Sequence, residues 1–435
     1  MTYDEVISFG ELYKGLLKSK RGVIWKDSVA GYYIHGLKNT YRLRKDLQNK
    51  TYRLSQYQMF YITEPKLREI IATRIRDRQF QRSLCDNILY PETTKHFIRD
   101  NCACQKKRGI DDALNRLEKH LRRYYVEQHE NDGWVLKCDI KKYFPSISHE
   151  VAYRVLKKYI PDHQAYVAVC EIVESFCFSE IMKKLLSFGY KKFKRSTGNL
   201  AHRMMLARVM LLRIRLTGEG NEDNVKRKLW NTLKDLPCGP ELYEWVLHAE
   251  FVGIGLGSQA SQILALCLLN EMDHFIKERL HIKHYIRYMD DFLLIHHDKQ
   301  YLQYCRVEIE KYLQTVCLRL NEKTQIHKLK QGIVFLKWRF ILTSTGKIVR
   351  KMSKRSITKQ RRKMLKFVTR LHDKKMTMFD VYQSYQSWRA NALRGDTKGI
   401  VYKMDNYYQN LFGKEWDDET VCESGGSQLE AAAGK

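Results

Sequence analysis

One segment limits the possible folds more than any other: Tyr285-Ile-Arg-Tyr-Met-Asp-Asp-Phe-Leu-Leu-Ile295, in which an acidic pair interrupts an apolar run. Apolar residues on both sides of Asp290 and Asp291 predict a β-hairpin with buried strands and a tight turn holding the two carboxylates. A second short run, Trp134-Val-Leu-Lys-Cys-Asp-Ile140, follows the turn signal Asn131-Asp132-Gly133. It reads as a strand that delivers Asp139 to its end. Carboxylates from two such strands can converge on one sheet edge and hold two divalent cations. A pair of cations about 3.5–4 Å apart suits in-line phosphoryl transfer. One activates an attacking 3′-hydroxyl and the other holds a triphosphate and its leaving oxygen. Mg²⁺ prefers oxygen ligands of this kind, with Mn²⁺ as a substitute. By itself, Tyr-x-Asp-Asp is a weak signal in a chain of this length.

Charge supplies the next constraint. The 435 residues include 78 Lys and Arg against 49 Asp and Glu, a net charge of +29. Self-repulsion on that scale calls for a polyanion, with nucleic acid the first choice and an anionic membrane surface the second. No apolar run reaches the roughly 18 residues that span a bilayer. Met1–Gly10 carries Asp4 and Glu5 and lacks a basic-then-apolar leader pattern. The expectation is a cytoplasmic protein with no membrane partner. The 11 cysteines include no Cys-x-x-Cys pair, so they read as reduced, mostly packed thiols. His296-His297-Asp298 reads as a polar turn after a strand.

Along the chain, residues 1–50 are polar and basic with helical spacing in places. Tyr57–Ile71 predicts two short strands around Glu64-Pro65. Helix is expected from about Asp77 to Leu89, with a break at Pro91. Residues 110–127 form an amphipathic pattern with Ile110, Ala113, Leu114, Leu117 and Leu121 as the apolar stripe. Helices fill 149–215. Residues 183–229 hold 13 Lys or Arg and 3 acids, which suggests a helical insertion over a phosphate backbone. The loop Gly253-Ile-Gly-Leu-Gly257 lacks the spacing of a dinucleotide-binding turn and leads into an apolar helix, 259–276. A helix at 299–315 and strands near 324–349 follow. Residues 345–375, with 13 basic residues and one acid, are expected to be mostly helical, anchored by Phe367 and Leu371. The segment Gly425–Lys435 looks like an appended linker and is set aside.

Several ordered motifs together resemble the reverse transcriptases, specifically the bacterial retroelement branch. Tyr288-Met-Asp-Asp291 and Asp139-Ile-Lys-Lys-Tyr-Phe144 resemble that family's palm motifs. Gly253-Ile-Gly-Leu-Gly-Ser-Gln-Ala-Ser-Gln262 is similar to the loop and helix that pack on template and incoming nucleotide. Leu318-Arg-Leu-Asn-Glu-Lys-Thr324 resembles the next motif, and Val334-Phe-Leu-Lys-Trp338 the primer grip, with Lys337 where the family usually has glycine. Upstream, Lys66-Leu-Arg68, Arg76-Asp-Arg78 and Cys104–Ala113 resemble the fingers. The resemblance spans roughly residues 55–345.

The resemblance implies an α/β (α+β) right-hand polymerase fold, with fingers, a palm of antiparallel sheet plus helices, and a helical thumb. Its domains would be an N-terminal extension (1–55), fingers (56–130) and palm (131–335) with a basic helical insertion at about 180–250. Primer grip and thumb (336–418) and a tail (419–435) complete the chain. Asp139, Asp290 and Asp291 would be catalytic and hold two Mg²⁺ ions together with Ile140. Lys323 would donate a proton to pyrophosphate. Lys66, Arg68, Ile140, Phe144, Gly257 and Gln262 would bind the dNTP, with the Phe144 ring excluding a ribose 2′-hydroxyl. Phe335, Leu336, Lys337 and Trp338 would form the primer grip. Implied partners are a structured noncoding RNA template, an RNA–DNA duplex, dNTPs and an accessory protein in one branch. Leu256 and Gln262 depart from the common motif and are similar to diversity-generating and defence-associated enzymes. After the primer grip, about 80 residues leave room for a thumb, in which Tyr382–Arg389 offers aromatic and basic groups, but not for an RNase H domain. The expected role is antiphage defence, with diversity generation as the alternative. A non-catalytic RNA-binding scaffold is the alternative of another class.

Overall fold

Among the described residues, nine strands in three antiparallel sheets organise the helices around them. The computed structural model describes residues 1–63, 67–191 and 194–413. Strands β1 (Gln58–Ile62) and β2 (Arg68–Ala72) form a hairpin. A four-stranded sheet contains β3 (Trp134–Asp139), β4 (His284–Tyr288), β5 (Asp291–His296) and β6 (Gln325–Lys328), in the order β4-β5-β3-β6. Strands β7 (Ile333–Phe335), β8 (Trp338–Leu342) and β9 (Ile348–Met352) make the third sheet. Among the described residues, no helix is long and apolar enough to cross a membrane.

Alternation of side chains explains why the central strands read as unbroken apolar runs. Leu136, Cys138, Tyr285, Phe292 and Leu294 join one core, while Val135, Ile286, Leu293 and Ile295 join another. Successive residues therefore serve opposite faces, and both faces are covered. The first face packs against the helices His149–Tyr159, Gln259–Leu268 and Lys299–Thr315. The second packs against the helix Ile110–Gln128 and the β7–β9 sheet. In that helix Ala113, Leu114, Leu117 and Leu121 are buried as the stripe predicts, but Ile110 is exposed. Asp298 caps the helix Lys299–Thr315 by accepting from the Gln300 N–H, the structural role expected of its polar turn.

Four local expectations need correction. The helix Ile75–Leu84 continues through a π-turn, Cys85–Leu89, into Tyr90–Thr94, so Pro91 does not end it. The proline ring would strike the carbonyl four residues back, and the wider turn before it relieves that clash. The predicted helix 259–276 is two helices, Gln259–Leu268 and Asn270–His274, followed by a π-turn. Residues Ile348–Met352 pair as β9 before the helix Lys354–His372 begins, so helix covers less of 345–375. Not all cations of 183–229 face outward: in the helix Arg195–Thr217, Arg208 and Arg213 bond the buried Glu174 and Glu171. The expected tail, residues 419–435, lies outside the described residues.

The helices Lys354–His372, Met378–Ala392 and Lys398–Phe412 share a small core of Met364, Phe367, Leu371, Val381, Tyr385, Met404 and Phe412. Phe367 and Leu371 anchor it as their apolar character implies. Tyr385 is core, while Tyr382 is exposed.

One ion pair joins the central sheet to its surroundings. Arg287 on β4 and Asp273 on the helix Asn270–His274 are fully buried and bonded through two contacts of 2.6 Å each. Asp273 also accepts from the Tyr285 hydroxyl at 2.6 Å. Removing one member of a buried pair strands the other charge, which costs about 3–5 kcal/mol. Asp273→Ala is expected to lower unfolding stability in urea by that amount. The double variant Asp273→Leu/Arg287→Met should lose much less.

Candidate active site

Strand register brings the carboxylates together. Asp139, the last residue of β3, lies directly opposite Asp291, the first residue of β5. Directly opposed residues of an antiparallel pair have Cβ atoms about 4.5–5.5 Å apart. Asp290 occupies the two-residue turn Met289-Asp290 between β4 and β5. Only Asp290 lies in the turn itself, whereas Asp291 is already in the ladder. Met289 takes φ +60°, a conformation uncommon away from glycine. The Arg287 guanidinium holds it by donating to the Met289 carbonyl at 3.1 Å.

Like charges this close oppose one another, and burial adds to the effect. Burial raises the Asp290 carboxyl above its ordinary range, with Asp139 pushing the same way and Arg68 and Arg287 opposing. Asp291 is raised from 3.8 to about 6, first by burial and then by Asp139 and Asp290, against Lys137. Its Oδ1 is buried without a hydrogen-bond partner. Such a carboxylate fits a cation as its missing partner. Among the described residues, no group of three or more His, Cys, Asp or Glu side chains is gathered to hold a metal ion. An open set of oxygen donors suits Mg²⁺, which is commonly held by one or two carboxylates and completed by substrate phosphates and water. Ile140 follows Asp139 and bridges Leu320. Its neighbours form that bridge, through Lys141 N–H to Arg319 O and Asn321 N–H to Asp139 O. The Ile140 carbonyl takes no part in it.

Asn321 is a site residue the sequence reading did not single out. Its side-chain amide donates to Asp139 Oδ2 at 2.9 Å, and its backbone N–H to the Asp139 carbonyl at 2.7 Å. It therefore fixes the orientation of Asp139. Lys323, the expected proton donor, is exposed two residues further on and bonds Asn321 Oδ1 through its backbone N–H at 3.1 Å.

The glycine loop is clamped between two elements of the site. Gly253 N–H bonds Ile147 O at 2.7 Å, and Ile254 N–H bonds Phe144 O at 3.0 Å. On the other side, Ile71 N–H of β2 reaches Leu256 O at 3.4 Å. A Cβ at Gly255 would lie 2.7 Å from the Phe176 ring, so only glycine permits this approach. Gly257, with φ +107°, and Gln262 are both exposed. Phe144 is half-buried and edge-on to Tyr143, whose hydroxyl bonds the Ala265 carbonyl. Arg68 opens β2, exposed and close enough to act on Asp290. Lys66 lies outside the described residues.

The expected primer-grip residues fall into two kinds. Phe335 and Trp338 pair across β7 and β8 and are buried. Leu336 and Lys337 make the turn, both at positive φ, and Lys337 is exposed. Lys137 ties this hairpin to β3 by donating to Val334 O at 2.7 Å.

No family model and no curated protein matches the chain. Among solved structures it is similar to apo telomerase from Candida tropicalis truncated from the C-terminal domain. Identity is 11% over 73% of this chain and 60% of that one, with a TM-score of 0.38. It is also similar to telomerase from Candida albicans in complex with a TWJ fragment of telomeric RNA, at 11% identity over 88% and 66% of the two chains and a TM-score of 0.38. The chain spans about half to two thirds of the length of the solved structures it matches. Likenesses this slight assign no activity.

The raised Asp291 value gives a prediction. Its folded pKa lies above the ordinary 3.8, so the folded state holds this proton more tightly than the unfolded chain. Its charged form therefore costs stability above pH 6, and protonation recovers it as pH falls through about 6. Asp291→Asn should stabilise the metal-free protein at pH 7.5 by about 1–2 kcal/mol. Added Mg²⁺ or Mn²⁺ should raise the melting temperature of the wild type but not of this variant.

Proposed function

We propose that the chain is an RNA-directed DNA polymerase whose palm carries Asp139, Asp290 and Asp291. The observation that supports this most is the register of β3 against β5, which sets Asp139 opposite Asp291 beside the turn bearing Asp290. Bound at these oxygens and at the Ile140 carbonyl, two Mg²⁺ ions would supply activation of a primer 3′-hydroxyl and charge neutralisation on the triphosphate. The chain's own groups orient the reaction. Asn321 holds Asp139, and Arg287 holds the turn. Arg68 would present positive charge to the triphosphate. The Phe144 ring would stand against a ribose 2′-hydroxyl, and the clamped glycine loop would support the nascent pair. Lys323 would serve as the proton donor to pyrophosphate. In this reading the template is a structured noncoding partner RNA, recognised by shape and phosphates. The cDNA would serve antiphage defence, a role suggested by the basic residues of 183–229 in the sequence.

The test is primer extension on an RNA template with dNTPs and Mg²⁺, using RNA from the native host if a generic template is silent. Template-matched DNA should appear with the wild type and disappear with Asp290→Ala or with chelator. Extension that survives Asp290→Ala would refute the assignment. Phe144→Ala should retain dNTP extension and raise ribonucleotide use relative to dNTP by about tenfold or more. Unchanged sugar preference would remove Phe144 from its role.

A further inference from the structure

The glycine loop is held by a buried group that plays no part in the site as described. His149 opens the helix His149–Tyr159, directly after the segment Phe144–Ser148, and is 2% exposed. Its backbone N–H bonds the Phe251 carbonyl at 3.1 Å, and Ser148 beside it bridges Val252. The ring lies between two acceptors. Nε2 is 3.0 Å from the Gly253 carbonyl, and Nδ1 is 3.1 Å from Glu174 Oε2. A carbonyl only accepts, so Nε2 carries a proton.

The contact with Gly253 matters because of that residue's backbone. Gly253 takes φ +92°, and glycine has no side chain to choose among the conformations open to it. The peptide that joins Gly253 to Ile254 is instead fixed at both ends. His149 holds its carbonyl at 3.0 Å, and the Phe144 carbonyl accepts from its N–H at 3.0 Å. One peptide unit therefore links the glycine loop to the residue whose ring would face the sugar.

The ring is fixed from behind. Glu174, also buried, accepts from Arg208 Nε at 2.8 Å and from the Tyr153 hydroxyl. Burial would raise the Glu174 carboxyl, but His149 and Arg208 outweigh it and hold the group down at about 2. Arg208 Nη1 donates to the Val246 and Leu247 carbonyls at 3.1 and 2.8 Å, in the last turn of the helix Gly239–His248 before the loop. A buried ionic cluster of this kind is often no more stable than apolar packing of the same volume. Apolar packing would close the core equally well and leave the Gly253–Ile254 peptide free to turn. The cluster adds a fixed direction for one N–H.

We infer that His149 is a positioning residue for the incoming nucleotide: its Nε2–H holds the Gly253–Ile254 peptide and so sets the glycine loop against Phe144. The inference rests on the polymerase reading above.

The full chain is measured in two ways. Primer extension gives KM for dNTP and kcat, and amide hydrogen exchange, without nucleotide or metal, follows residues 251–256. His149→Gln places an amide nitrogen near the position of Nε2, and His149→Asn near that of Nδ1. The first keeps a donor for Gly253; the second keeps one only for Glu174. His149→Asn should raise KM by about tenfold with a much smaller change in kcat, and the loop should exchange about tenfold faster. His149→Gln should stay close to the wild type in both. Leu12→Ala, a core truncation in the helix Phe9–Ser19, controls for lost stability alone: it should melt earlier and alter neither readout. Unaltered KM and loop exchange in His149→Asn would overturn the proposal. So would equal impairment of the two His149 variants, or impairment of all three variants that follows melting temperature. A wild type that makes no DNA on any template, while the contrast in exchange holds, would sink the enzyme and leave the hold on the loop standing.

Discussion

The site depends on Arg287. Its guanidinium is buried against Asp273, and it also reaches the Met289 carbonyl beside the strained turn. Its backbone N–H bonds the Asp100 carbonyl, and its own carbonyl accepts from the Cys102 N–H. One residue therefore ties the β4–β5 turn to a helix, to the segment before the helix Ile110–Gln128 and to the central sheet. Burying a guanidinium is expensive unless every donor is used. The expense is met by Asp273, whose second partner, Tyr285, lies on the same strand. Two residues of β4 thus grip one carboxylate, and the turn that follows has little freedom to move.

What that rigidity secures is an unfavourable arrangement. Asp139 and Asp291 are opposed in the ladder, Asp290 is adjacent, and burial discourages charge on Asp290 and Asp291. A structural role would favour an apolar or hydrogen-bonded pair at such positions. The chain instead surrounds the carboxylates with devices that hold them in place. Asn321 fixes Asp139, Lys137 offsets charge at Asp291, and Arg68 and Arg287 offset it at Asp290. Stored electrostatic cost is common at functional sites, where a ligand relieves it.

Much of this was legible in the sequence, for physical reasons that can be named. The β4–β5 hairpin and β3 announced themselves because both faces are buried and each run ends in carboxylates. Arg287 was equally visible: a cation inside an apolar strand demands a buried partner, and that signal was available but unused. Asn321 was harder: it lies in the motif Leu318–Thr324, but it reaches Asp139 from a turn far along the chain, and the motif alone does not show that contact. Counting charges over 183–229 missed direction, because Arg208 and Arg213 turn inward to Glu174 and Glu171. The fate of Pro91 was hidden because a π-turn has no sequence signature. Within Phe335–Trp338, residue type divides the roles: Phe335 and Trp338 go to the core, Leu336 and Lys337 to the turn.

On the proposed function, these carboxylates would hold divalent cations around a nucleotide. Electron paramagnetic resonance with Mn²⁺ tests it directly, by counting bound ions with primer–template and a non-hydrolysable dNTP present. Two ions per wild-type chain are predicted, with Asp139→Asn and Asp290→Asn each losing at least one. Equal Mn²⁺ binding by the wild type and both variants would contradict the account.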